Sequence, residues 1–188
     1  MENLVKTLRN GDQVLEIFYD TNPASPREWD NLGTIVTKKN HHYTIGDQQV
    51  EDIDEFLQSQ GDIVKVPVYM IDHSGISLST RDFNDPWDSG MIGYIFATKE
   101  KIKNEYSVKR ITKKTLTKVE NIFNGELDTY DQYVNGNVYG FVLSKVSECD
   151  HNEEHKKHID SCWGFYGDDL ISNGIADYVE NFEKFKEI

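Results

Sequence analysis

Nowhere does the 188-residue chain hold about 18 consecutive apolar residues, so no helix able to cross a membrane is expected. The opening residues, MENLVKTLRNGDQ, lack the apolar core of a secretory signal. Cysteine is nearly absent, with two residues, Cys149 and Cys162, which points to a reducing compartment and hence the cytoplasm. Positive charge is scarce: Lys and Arg number 20 against 33 Asp and Glu, a net charge of −13. Such a field repels phosphate backbones, disfavours direct nucleic-acid binding and suits a basic protein partner or imitation of nucleic acid. No GxGxxG, Walker loop or nucleophile elbow occurs, and no internal repeat or low-complexity segment.

Aromatic residues are plentiful. Nine Phe, ten Tyr and three Trp within a 37% hydrophobic composition exclude a disordered chain. The length suits a single domain, residues 1–188, with a sizeable core.

Alternation and β-branched or aromatic content predict strands over 13–19, 32–37, 64–71, 75–80, 91–97 and 137–146. Pro67 argues that its strand lies at an edge or beside a bulge. Apolar residues at helical spacing predict a helix over 51–60, with Asp52 as cap and Gly61 as stop. A short helix opens at Thr98, and a long one runs over 111–134 to the stop at Asn135-Gly136. Leu170, Ile175, Val179, Phe182 and Phe185 predict a closing amphipathic helix over 168–186. Strands cluster early and helices late. That pattern gives an α+β fold, a largely antiparallel sheet with a long helix and a C-terminal helix packed on it.

The stretch from Tyr69 to Lys99 concentrates functional groups: Asp72, His73, Asp82, Asp85, Trp87, Asp88 and Ser89. Its carboxylates could hold Mg²⁺ or Ca²⁺ or share protons, or they could simply build turns with Pro86, Trp87 anchoring the turn on the core. No EF-hand spacing is present. Adjacent Asp72, His73 and Ser74 do not make a triad, because neighbours on a strand face opposite ways. Trp29, Trp87 and Trp163 sit in loop contexts, either as binding anchors or as buried plugs under loops. The basic run from Lys109 to Lys118 reads as the solvated face of the long helix.

The segment 147–167 is expected to be irregular and rich in metal-ligand types. Cys149, His151, His155 and Cys162, with His158 as a substitute, form the most economical quartet for a structural Zn²⁺. The spacing matches no standard zinc finger, and a solvated polar loop is the alternative. A Cys149–Cys162 disulfide is disfavoured in the cytosol. Trp163, Phe165 and Tyr166 are expected to bury and order the end of this segment.

Taken together, DHSG, PWDSG, TYDQYVNGNVYGF and DSCWGFYG resemble the motifs of a family of proteins encoded by phages and mobile elements. The resemblance covers roughly Pro26 to Gly167 and transfers no catalytic residue. It implies a small accessory protein in the cytoplasm of an infected cell. There it would bind and inhibit a host protein, such as a nucleic-acid-binding defence nuclease of the CRISPR or restriction type. The second expectation is a small metal-assisted enzyme that binds or hydrolyses nucleotides, using Asp72, His73, Asp82, Asp85 and Asp88.

Overall fold

The computed structural model describes residues 3–40, 42–148 and 154–188. In chain order the elements begin with β1 (Leu4–Asn10), β2 (Gln13–Tyr19), a 3₁₀ turn (Pro26–Glu28), β3 (Thr34–Lys38), β4 (Gln48–Val50) and α1 (Ile53–Ser59). The middle of the chain gives β5 (Ile63–Asp72), β6 (Ile76–Ser79), β7 (Ser89–Thr98), α2 (Lys99–Glu105) and α3 (Lys113–Val134). The last part holds β8 (Val138–Glu148), β9 (Glu154–Tyr166), two 3₁₀ turns (Ile175–Tyr178 and Phe182–Lys184) and β10 (Lys186–Glu187). The fold is α+β, with two antiparallel-rich sheets of five strands each.

By its internal contacts the chain groups into two compact units. Ser25–Asn135 forms an inserted unit, and the segments on either side of it form a terminal unit.

The inserted unit carries the sheet β4-β3-β7-β5-β6, antiparallel except for the parallel pair β3–β4. Strand alternation divides its apolar residues between two faces. Ile35, Val68 and Ile95 pack with Val119, Phe123 and Leu127 of α3, whose buried residues recur at steps of three and four. Val36 and Phe96 face the other way and pack with Leu57 of α1. Burial on both faces explains why β7 reads as a continuous apolar run. Caps form at the expected Asp52 and Thr98, and one that was not expected forms at Thr112. Asp52 accepts from Glu55 N–H at 2.9 Å, Thr98 from Lys101 N–H at 3.2 Å and Thr112 from Thr115 N–H at 3.2 Å. Pro67 pairs with Tyr94 one residue before a register shift at Val68/Tyr69, and β6 reaches only Tyr69–Asp72. At Pro67, therefore, β5 has a strand neighbour on one side only, which is where a missing N–H is tolerated.

Charges on α3 run against its dipole. Lys113 and Lys114 occupy the first turn, with no acid there, and the last turn holds no basic residue. Each misplaced charge costs about 0.3–1 kcal/mol. Asp131, near the C-terminal end, offsets its cost by accepting the N–H of Leu78 at 2.6 Å and the hydroxyl of Ser77 at 3.2 Å.

The terminal unit carries the antiparallel sheet β10-β1-β2-β8-β9. Leu15, Ile17 and Phe141 from the sheet pack with Ile175, Val179 and Phe185 from the last segment. The expected C-terminal helix is absent: 168–186 forms 3₁₀ turns instead. Its apolar residues are still buried as the spacing implies, but the backbone is broken by Gly174 and Asn181, both left-handed at φ 94° and 55°. Asn173 bonds Gly167 C=O and Ile175 N–H at 2.7 and 3.0 Å, a local alternative to helical bonding.

Within the segment expected to be irregular, Glu154–Tyr166 form a strand. β9 pairs with β8 along its length, from Glu148↔Glu154 to Val138↔Tyr166. The reason it does not read as one is that His155–Ser161 are exposed on both faces, so no alternation marks them. The expected aromatic anchoring is present in part: Phe165 is buried, whereas Trp163 stays half exposed. Trp163 lies flat over Gly140, where a Cβ would sit 2.1 Å from its ring.

Candidate functional site

The densest grouping of functional side chains lies at one end of the inserted sheet, where β5 and β7 finish side by side. Ile71 pairs with Ser89, and Asp72 N–H donates to Asp88 C=O at 2.9 Å. Between β6 and β7 the chain is folded by its own carboxylates. Asp82 accepts from Asn84 N–H at 2.9 Å, and Asp85 from Trp87 N–H at 2.9 Å and Asp88 N–H at 3.0 Å. Ser89 hydroxyl donates to Asp85 C=O at 2.6 Å. These are Asx turns, and they fix the loop without apolar burial. The N–H groups of Asp88 and Trp87 hold the Asp85 carboxyl below the usual carboxylate range.

Asp72 accepts from the Tyr43 hydroxyl, a bond that raises the Tyr43 pKa. His73 Nδ1 lies 2.9 Å from Asp88 Oδ2, and this hydrogen bond raises the imidazole pKa above its ordinary value. Each carboxylate thus has its own separate partner. Among the described residues no three His, Cys, Asp or Glu side chains gather closely enough to hold a metal ion.

Trp87, rather than anchoring the turn, is 90% exposed at the tip of this loop. Met91, 51% exposed, separates two hollows. One, of ≈ 400 Å³, is lined by Tyr69, Asp82, Asn84, Asp85 and Ser89. The other, of ≈ 190 Å³, has Ile45, Met70 and Ile92 among its walls, with Lys39 and Tyr43 beside them. Sequence reasoning missed Tyr43 and Met91. Tyr43 lies 29 positions from Asp72 and carries no local signal of that contact.

Of the remaining site residues, Trp163 belongs to the terminal unit, beside Phe18 at 6.1 Å between ring centroids. Cys149 and His151 of the expected zinc quartet lie outside the described residues. His155 and Cys162 both lie on β9, seven positions apart, about 20 Å or more along an extended strand. Zn²⁺ holds its ligands at about 2.0–2.3 Å, so those two do not share an ion and the quartet does not fit. His158 Nε2 instead meets Ser161 Oγ at 3.1 Å.

A second charged cluster is internal to the inserted unit. The Arg27 side chain, 8% exposed, bonds Asp47 through Nε and Nη2 at 2.9 and 2.8 Å and Gly33 C=O at 2.7 Å. Glu126 of α3 accepts the N–H groups of Leu32 and Gly33 at 2.6 and 3.0 Å, with Arg27 Nη1 3.6 Å away. Burial is the largest influence on Glu126 and pushes its carboxyl above the usual range, against those donors. The cluster ties the β3 approach to α3, and all its acceptors are occupied by the chain itself.

The chain matches no protein-family model, no curated protein and no solved structure. Among the described residues no helix is long and apolar enough to cross a membrane.

Proposed function

We propose that this protein is a binding module that docks a basic partner protein through the β5–β7 end of its inserted unit. The observation that carries the reading is Trp87, 90% exposed on a loop held by Asp85, with Asp82 and Asp88 beside it. An exposed indole on a preorganised loop loses little entropy on binding, and Trp is the residue most enriched at interface hot spots. The acidic rim would steer it onto positive surface in a salt-dependent way. Separate partners for Asp72, Asp85 and Asp88 favour this over metal-assisted nucleotide chemistry, which needs converging carboxylates.

The finer reading follows the motif resemblance. The protein is an accessory factor of a phage or mobile element, acting in the cytoplasm, and its partner is a host nucleic-acid-binding defence protein. The test is affinity capture from host lysate with wild type and Trp87→Ala. Reproducible capture of a basic, nucleic-acid-binding protein by wild type alone supports the reading. Equal capture by the variant, or none by either, overturns it.

A further inference from the structure

The inserted unit is electrically polarised. Residues 99–118 hold eight Lys or Arg against two Glu, in a chain whose net charge is −13. The acidic loop starts at the other end of β7, a strand of ten residues and so about 30 Å long. That is roughly four Debye lengths at physiological salt, so the basic end presents its own local field.

Several features of this end show that its charge is not a by-product of packing. Lys99 is offset by Asp62 at 3.3 Å, but Lys114 and Lys118 stand four apart on α3, and like charges at that spacing repel. Lys113 and Lys114 sit at the helix end that disfavours cations. None of Lys103, Lys109, Arg110, Lys113, Lys114 and Lys118 forms an ion pair among the described residues. The connector between the helices is nonetheless fixed. Val108 N–H bonds Lys103 C=O at 3.0 Å and Ser107 N–H bonds Asn104 C=O at 3.2 Å, with Ser107 left-handed at φ 50°. This closing motif points the chain onward so that Lys109 and Arg110 stand exposed just before the first turn of α3.

We infer that this basic end binds the phosphate backbone of nucleic acid without reading its sequence. Exposed Lys and Arg side chains suffice for phosphate contacts. Residues 99–118 themselves present no exposed large hydrophobic side chain of the kind that anchors a protein interface. The high negative charge elsewhere limits this to local contact at one end, which accounts for a basic patch on a protein that repels polyanions as a whole.

The test is fluorescence polarisation of a labelled DNA duplex, in roughly 50 and 200 mM salt, with the full chain. If Lys109, Arg110, Lys113 and Lys114 each neutralise a phosphate, affinity falls about 100-fold between these salts. Lys109→Glu with Arg110→Glu should weaken binding at least about tenfold at the lower salt and flatten the slope by about two. Melting of the variant serves as the folding check, and Lys113→Gln with Lys114→Gln gives an independent pair. No binding at the lower salt overturns the inference. So does equal binding by both variants, or competition by polyglutamate as strong as by unlabelled duplex, which would assign the surface to acidic protein.

Discussion

Replacing Glu126 with Ala tests whether the buried cluster holds the inserted unit together. The substitution leaves Leu32 N–H and Gly33 N–H without their acceptor and removes one of the two carboxylates facing Arg27. A buried donor left unmade costs about 1–3 kcal/mol, and breaking one partner from a buried ion pair about 3–5 kcal/mol. Arg27 keeps its two bonds to Asp47. The Glu126 side chain is 12% exposed, so water reaches the vacated space only in part. The net loss should be about 3–4 kcal/mol, or a fall in Tm of roughly 10–15 °C for a unit of this size. Urea and thermal melts followed by far-ultraviolet circular dichroism measure it. A loss below about 1 kcal/mol would refute the assignment, because it would mean that the loop N–H groups find water as readily as they find Glu126.

Gly125 lies on the exposed side of α3, and a Cβ there meets nothing within 4 Å, so Gly125→Ala should stabilise by about 1 kcal/mol in the same melts. Gly140→Ala should destabilise by about 1–3 kcal/mol, because the new Cβ drives into the Trp163 ring. A neutral result there would mean that Trp163 swings aside without loss. The His73 imidazole should titrate above its ordinary 6.5 by NMR and return toward it in Asp88→Asn. Since its folded pKa is raised, its contribution to stability is complete below pH 6.5 and is lost as pH rises through the folded value. An unchanged titration in the variant would remove the pairing.

The α+β class and the three helices were legible because their signals are local: apolar steps of three and four, and an oxygen cap at the start of the first two. The hairpin of β5 and β6 was legible for the same reason. β1 was not anticipated, although Asn10-Gly11 between two short runs is a hairpin signal, and Gly11 does adopt φ 59°. The last segment misled because burial of Ile175, Val179 and Phe185 is compatible with more than one backbone path, and Asn173, Gly174 and Asn181 chose turns. β9 misled because a strand exposed on both faces has no period to detect. At the site, the sequence located the loop but not its wiring. The partners of Asp72 and Glu126 lie tens of positions away, and such contacts leave no trace in composition.

The insertion of one unit within another has a kinetic consequence. Everything Ser25–Asn135 needs for its sheet and helices lies within that span, so it can form as soon as it is synthesised. The β1–β2 hairpin is made earlier, yet Leu15 finds its neighbour Leu143 only after the whole inserted span has emerged. Until then β2 presents an open edge with Val14, Leu15 and Ile17 uncovered, and long-range strand pairing of this kind is slow. The nascent chain is therefore most prone to aggregate through its first hairpin, in the interval before β8 arrives.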